Sequence, residues 1–272
     1  MLIPEMIRDS LGEKPLILRS LSAFKDKFEH GVSVRKSGTT IIAMHYKDGV
    51  VMAGDRRTTN WHTHTDDAIK IEETDNGTAI GCAGTVAFIQ DLKETLIHIV
   101  TRLENIVERP ICVDGQAMIL KNIIKANYEH YGAWIYVLGY AVPILAGYHA
   151  EEKRGFVFEF DEAGGIYEKS DYATTGSGGQ LAWGVLKDRW HKDLEEGDAV
   201  DLAIRALTLA SFDNYSSHPF LAPSSVMVIS KHKGIQYLEE EKALAMAYTI
   251  HCEYLERHGK TSELKFFRGE EV

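Results

Sequence analysis

From residue 39 onward the chain alternates between short apolar runs and amphipathic stretches. Residues 39–46 are strand-like, Lys47-Asp48-Gly49 is a turn signal, and residues 50–53 supply a second strand. Residues 69–73 and 78–82 flank Asp75-Asn76-Gly77, and an Asn-Gly step suits the positive φ angles of a tight hairpin. Apolar residues at 88, 89, 92, 96, 99, 100, 103, 106 and 107 repeat with helical spacing. A second amphipathic helix is expected over 116–131, beyond the loop around Pro110. Strands are expected at 144–149, 156–160 and 166–174, then helices at about 180–194 and 198–212. A strand pair at 226–230 and 236–238 and a C-terminal helix from Glu239 complete the pattern. Grouped hairpins separated by helix pairs do not suit a doubly wound parallel sheet, in which strands and helices alternate singly. They suit an α+β fold, a four-layer αββα sandwich in which two antiparallel sheets stack and helix pairs cover the outer faces.

The first 38 residues break this rhythm. Charges interrupt their apolar runs, and they end in the turn-like Arg35-Lys36-Ser37-Gly38. They read as an appendage to a domain spanning 39–272, one that is open to removal. With 272 residues, 40 Asp+Glu against 30 Lys+Arg and a net charge of -10, the chain is an unpromising nucleic-acid binder, since phosphate contacts need clustered base. Charges in the N-terminal segment exclude a signal peptide. The most membrane-like stretch, 131–148, is short of a ~20-residue span and broken by Gly132, Gly139, Pro143 and Gly147, so a buried strand or a helix-to-strand passage is expected. Cys82, Cys112 and Cys252 are too scattered for a disulfide framework or a zinc site. A cytoplasmic protein with no membrane contact is expected.

Three sites carry candidate chemistry. Cleavage of the Gly38–Thr39 bond would leave Thr39 with both a hydroxyl and a free α-amine, and a terminal amine can act as the base that a threonine nucleophile needs. Its reference pKa of about 7.7–8.0 is close to working pH. Asp55, in Gly54-Asp55-Arg56-Arg57, leaves the strand that neighbours Thr39. Lys70 lies between apolar residues; turned inward and paired with Asp55, it would set a positive charge beside the Thr39 hydroxyl. Each residue alone has an ordinary explanation: β-propensity for Thr39, turn formation for Asp55, an exposed strand face for Lys70.

In this order the residues resemble a known family. Gly38-Thr39-Thr40-Ile41-Ile42-Ala43-Met44 and the run from Lys47 to Arg57 are similar to the start of catalytic 20S proteasome β-subunits, of the bacterial type. Ile80–Gly84, Leu145–Tyr148, Phe160–Gly165 and Thr175–Gly178 continue the likeness, which covers residues 39–238. The resemblance implies a threonine endopeptidase of the N-terminal-nucleophile type, a zymogen whose leader is removed autocatalytically at Gly38–Thr39. It implies Thr39 as nucleophile, Asp55 and Lys70 as the pair that tunes it, and Gly84 as an oxyanion-hole donor. Ser177, Asp213 and Ser216 match the accessory group, although Ser217-His218 follows where the family often has Gly-Gly. Thr58, Ala68, Cys82 and Val86 match the pocket before the scissile bond, so a small-walled, uncharged pocket preferring apolar residues is expected. The implied partners are protein and peptide substrates, a second β-subunit ring of seven, α-type subunits and an ATPase unfoldase; no cofactor is implied.

Other readings compete. Tyr172–Gly179 ahead of a helix looks like a phosphate cradle but lacks the endings of a P-loop or a dinucleotide site. Trp61-His62-Thr63-His64 with Asp66 and Asp67 has no third His or Cys at ligand spacing, so no metal is expected. Glu239-Glu240-Glu241-Lys242 reads as an acidic helix start. A non-catalytic ring subunit of the same fold and a small-molecule amidohydrolase remain the alternative functions.

Overall fold

The computed structural model describes residues 38–59, 64–132, 139–212, 219 and 222–268. β1 (Ile41–Tyr46) and β2 (Gly49–Gly54) form the expected hairpin around Lys47-Asp48, in the register Ile41↔Gly54 to Tyr46↔Gly49. β3 (Thr58–Thr59) and β4 (His64–Thr65) make a short ladder of their own. β5 (Ile71–Asp75), β6 (Thr78–Gly84), β7 (Ala141–His149), β8 (Arg154–Phe160) and β9 (Ile166–Lys169) form one antiparallel sheet in chain order. The other sheet has the order β10-β1-β2-β11-β12, with β10 (Tyr172–Thr175), β11 (Ser225–Ser230) and β12 (Gly234–Tyr237).

The two sheets stack, and helices cover both outer faces. α1 (Val86–Val107) and α2 (Val113–Tyr131) pack on the β5–β9 sheet; α3 (Gly179–Arg189), α4 (Glu196–Ser211) and α5 (Glu240–Arg257) pack on the other. A short α6 (Thr261–Arg268) closes against α5 through Leu264, Cys252 and Leu255. The αββα architecture is therefore the one expected. It also explains why β1 reads as an unbroken apolar run: Ile41 and Ala43 face the inter-sheet core with Val50 and Met52, while Ile42 and Met44 face the helices. Among the described residues no helix is long and apolar enough to cross a membrane.

Local chemistry accounts for most boundaries. Asn76 and Gly77 have φ of 49° and 72°, the paired positive angles that asparagine tolerates and glycine, lacking a Cβ, adopts freely. Pro143 is tolerated in β7 because the β8 ladder begins only at Ile144, so no β8 carbonyl waits for its missing N–H. The described part of 131–148 is a helix end followed by β7, the second of the two arrangements expected. Two expectations need correction. The single strand over 166–174 is two strands, β9 and β10, which belong to different sheets and are separated by Ser170-Asp171. β9 is a largely exposed edge strand and β10 a mostly buried one, but only two residues separate them, too few to mark a break between two strand-like runs. The helix expected to reach 194 stops at Arg189, where Trp190 turns extended and donates its indole N–H to His45 O at 2.8 Å.

Candidate active site

Sheet topology gathers the candidates at one end of the sandwich. Thr39 precedes β1, Asp55 follows β2 and Lys70 precedes β5, while β10 runs antiparallel to β1 and delivers Gly176–Gly178 to the same end. Asp55 is 1% exposed, and its carboxylate is filled with donors. Oδ1 accepts from Thr40 N (2.8 Å) and Lys70 Nζ (2.8 Å), and Oδ2 accepts from Arg57 N (3.0 Å). A buried carboxylate is tolerable only with such pairing.

Lys70 Nζ directs its three N–H groups at three acceptors: Asp55 Oδ1, Thr39 Oγ1 at 2.9 Å and Gly38 O at 3.0 Å. Burial pushes the Lys70 pKa below the ordinary lysine value, and Asp55 partly opposes that shift. Thr39 is itself buried; its N donates to Ser177 Oγ at 3.2 Å, and its carbonyl accepts from Gly178 N at 3.0 Å. Gly176 has φ +91°, and a Cβ there would lie 2.2 Å from Thr39 O. The nucleophile candidate is therefore clamped on its amine, its hydroxyl and its carbonyl sides.

Gly84, at the end of β6, has φ +135° and lies so close to Tyr140 that a Cβ would come within 1.9 Å of the Tyr140 carbonyl oxygen. The expected pocket residues sit on neighbouring elements. Thr58 lies in β3, Ala68 donates its N–H to Arg56 O, and Val86 opens α1 half-exposed. Cys82 packs in the α1–α2 core, and burial pushes its thiol up to about 12. Asp213 and Ser216, with Ser217-His218, lie outside the described residues, as do Trp61 and His62.

Three features escape a reading of the residues one at a time. Arg57 forks onto Asp66 (Nε–Oδ1 2.8 Å, Nη2–Oδ2 3.0 Å), which ties the segment bearing Asp55 to the one leading to Lys70. This pairing holds the Asp66 carboxyl below the usual range, with hydrogen bonding from Arg57 the largest cause. Glu72, in β5, accepts from Lys93 Nζ at 2.8 Å, where Lys93 is only 7% exposed. Both Lys93 and Glu72 lie close enough to Cys82 to act electrostatically on its thiol, so a charged pair neighbours the pocket expected to be uncharged. Gly176 is the third; the Thr175–Gly178 segment pointed to this turn, but not to its contact with Thr39.

Among the described residues, one group combines metal-ligand types: Cys112, Asp114 and His149, with donor atoms within 4.8 Å of one another. Glu152 N donates to His149 Nδ1, which leaves the neutral ring's proton on Nε2, the nitrogen facing Asp114 at 3.5 Å. A cation there would need a lone pair where that proton sits, so the group is better read as a hydrogen-bonded helix start.

Residues 35–220 match the Proteasome family of proteasome subunits, and the chain belongs to that family. Its relatives include the proteasome subunit beta of Streptomyces griseus, 29% identical over 78% of this chain and 76% of that protein. Proteasome subunit beta 1 of Streptomyces avermitilis is 31% identical over 75% of this chain and 69% of its own length. The proteasome subunit beta of Frankia alni is 34% identical over 65% and 64% respectively.

Proposed function

We propose that this chain is the catalytic β-subunit of a bacterial 20S proteasome core, a threonine endopeptidase whose nucleophile is Thr39. The observation that carries the reading is the 2.9 Å bond from Lys70 Nζ to Thr39 Oγ1, with Asp55 holding the same ammonium. A ring subunit serving only as a wall has no use for that arrangement. Residues 1–38 are then a propeptide.

Processing follows from the intact geometry. Lys70 bridges Thr39 Oγ1 and the Gly38 carbonyl oxygen, so one ammonium touches both the attacking and the attacked group. The hydroxyl adds to the Gly38 carbonyl carbon, the Gly38–Thr39 C–N bond breaks, and the acyl group moves to Oγ1 as an ester. Water then hydrolyses the ester, leaving a Gly38 carboxylate and a free Thr39 amine. In the mature chain that amine takes the hydroxyl proton as Oγ1 attacks a substrate carbonyl. The Lys70 charge lowers the amine's pKa and favours the alkoxide, and Ser177 Oγ, 3.2 Å from Thr39 N, orients the amine. Gly84 N–H stabilises the oxyanion; losing such a donor costs about 2.7–4 kcal/mol. The departing amine receives the proton, and water releases the acyl-enzyme. Asp213 and Ser216 complete the accessory group by resemblance.

The relatives' names support assembly as β-subunits. Stacked seven-membered rings, α-type caps, an ATPase unfoldase feeding unfolded protein and a cytoplasmic setting belong to the same proposal. Intact mass of the purified particle tests it: the β-chain is expected to begin at Thr39, and Thr39→Ala to remain full-length, folded and inactive. Peptide turnover by particles that still begin at Met1 overturns the scheme.

A further inference from the structure

The end of the sandwich away from Thr39 carries a second concavity of different chemistry. β1 separates the two: its six residues, at about 3.3 Å each, place them roughly 20 Å apart. The cavity holds about 430 Å³ and is walled by the β1–β2, β7–β8 and β11–β12 turns and by the passage from β9 to β10. That volume is within the range of small-molecule sites. No Ala, Val, Leu, Ile, Met or Phe lines it; apart from Tyr46 and Tyr148, the side chains around it are charged, imidazole or hydroxyl groups.

Its charge runs against the rest of the chain. Lys47, Lys153, Arg154, Lys169 and Lys231 line it, against the carboxylates of Asp48 and Glu168, although acids outnumber bases 40 to 30 overall. Three of the bases already have partners: Lys47 with Glu195, Arg154 with Glu168 and Lys169 with Glu159, each at 2.7 Å. Glu168 is thus engaged by Arg154. Lys153 and Lys231 make no ion pair among the described residues. They come from turns of different sheets and approach the cavity from two sides. Lys153 also holds a left-handed φ of 54°, a conformation that non-glycine residues seldom adopt.

We propose that this cavity binds a polyphosphate chain, either inorganic or as part of a nucleoside polyphosphate. Two separated ammonium groups call for an anion whose charge is spread along its length. Lysine meets phosphate oxygens as a point charge and needs no planar partner. A single phosphate would leave most of the 430 Å³ cavity unfilled, whereas a chain of phosphates can present separate oxygens to the lysines of the two turns.

The test is calorimetric titration of the full-length chain, without divalent cations, using tripolyphosphate, ATP and a hexaglutamate peptide. Saturable one-to-one binding of tripolyphosphate is expected, weakened at least tenfold in Lys153→Ala/Lys231→Ala. The control Lys125→Ala/Lys187→Ala removes two exposed lysines from α2 and α3 and is expected to bind as the parent does. Matching urea midpoints for the two variants establish that both are folded. ATP binding tenfold tighter than tripolyphosphate identifies the nucleoside form, and equal affinity identifies the inorganic chain; both support the site. Absence of phosphate binding at millimolar ligand, equal weakening in the control, or binding of hexaglutamate alone overturns it.

Discussion

Replacing Lys70 with Met separates two roles that the ammonium combines. Methionine keeps most of the apolar stem and removes the charge, so packing changes little while three donors vanish. Asp55, 1% exposed, retains the Thr40 and Arg57 backbone donors but loses the cation bonded to it at 2.8 Å. At that separation and an effective dielectric of about 20, the gross attraction is about 6 kcal/mol. Burying Lys70 offsets part of it, so the expected net loss on truncation is about 3–5 kcal/mol. At about 2–4 °C per kcal/mol this lowers Tm by roughly 6–20 °C. Stability is best compared in chains carrying Thr39→Ala, so that processing does not alter chain length.

Adding Asp55→Asn to Lys70→Met removes the stranded charge and leaves mainly the Arg57 N–H unsatisfied, a cost of about 1–3 kcal/mol. The double variant is expected to regain part of the stability in urea titration. Turnover of a fluorogenic peptide, measured with an intact Thr39, is expected to stay at least about 100-fold below the parent in both variants. A double variant no more stable than Lys70→Met would falsify the stranded-charge argument. Near-parental turnover in Lys70→Met would remove the lysine from the chemistry.

Gly176→Ala sets a Cβ 2.2 Å from Thr39 O at φ +91°, so a loss of about 2 kcal/mol or more and at least tenfold in turnover is expected. Gly77→Ala, also at positive φ but with nothing within 4 Å, serves as the control and should keep its activity. Glu72→Gln strips the buried Lys93 ammonium of its countercharge. It should cost about 1–3 kcal/mol and shift peptide preference toward acidic residues before the scissile bond; an unchanged peptide-library profile separates this pair from the pocket. Burial lowers the His45 pKa, despite its bond to Lys169 O, so the unfolded chain binds this proton first as pH falls. Stability should therefore drop as pH falls below about 6.5, level off below the folded pKa, and show a shallower acid slope in His45→Gln, as read from urea midpoints.

The site was legible to the extent that its residues abut strand ends. Thr39, Asp55 and Lys70 each flank an apolar run, and a hairpin makes Thr39 and Asp55 neighbours whatever the rest of the fold does. The Asn76-Gly77 turn was legible for a similar reason, since its φ preferences are local. The Glu72–Lys93 pair was not, because it joins β5 to α1 across 21 residues and each member alone looks like a surface charge. The break between β9 and β10 was hidden because only Ser170-Asp171 separates two short strand-like runs, and nothing local tells the chain to change sheets.

By itself, the order of residues determined the elements, the layered α+β class and the set of groups able to react, since these depend on periodicity, turn preference and side-chain chemistry within a few positions. Only the tertiary structure decided which side chains share a proton, an ion pair or a wall. It set Lys70 between Asp55 and Thr39, clamped Thr39 O against Gly176, brought a charged pair beside a pocket expected to lack one, and gathered lysines of two sheets around a distant cavity. Such arrangements depend on register and sheet stacking, and a shift of one residue would turn each side chain to the opposite face while leaving the hydrophobic pattern nearly unchanged.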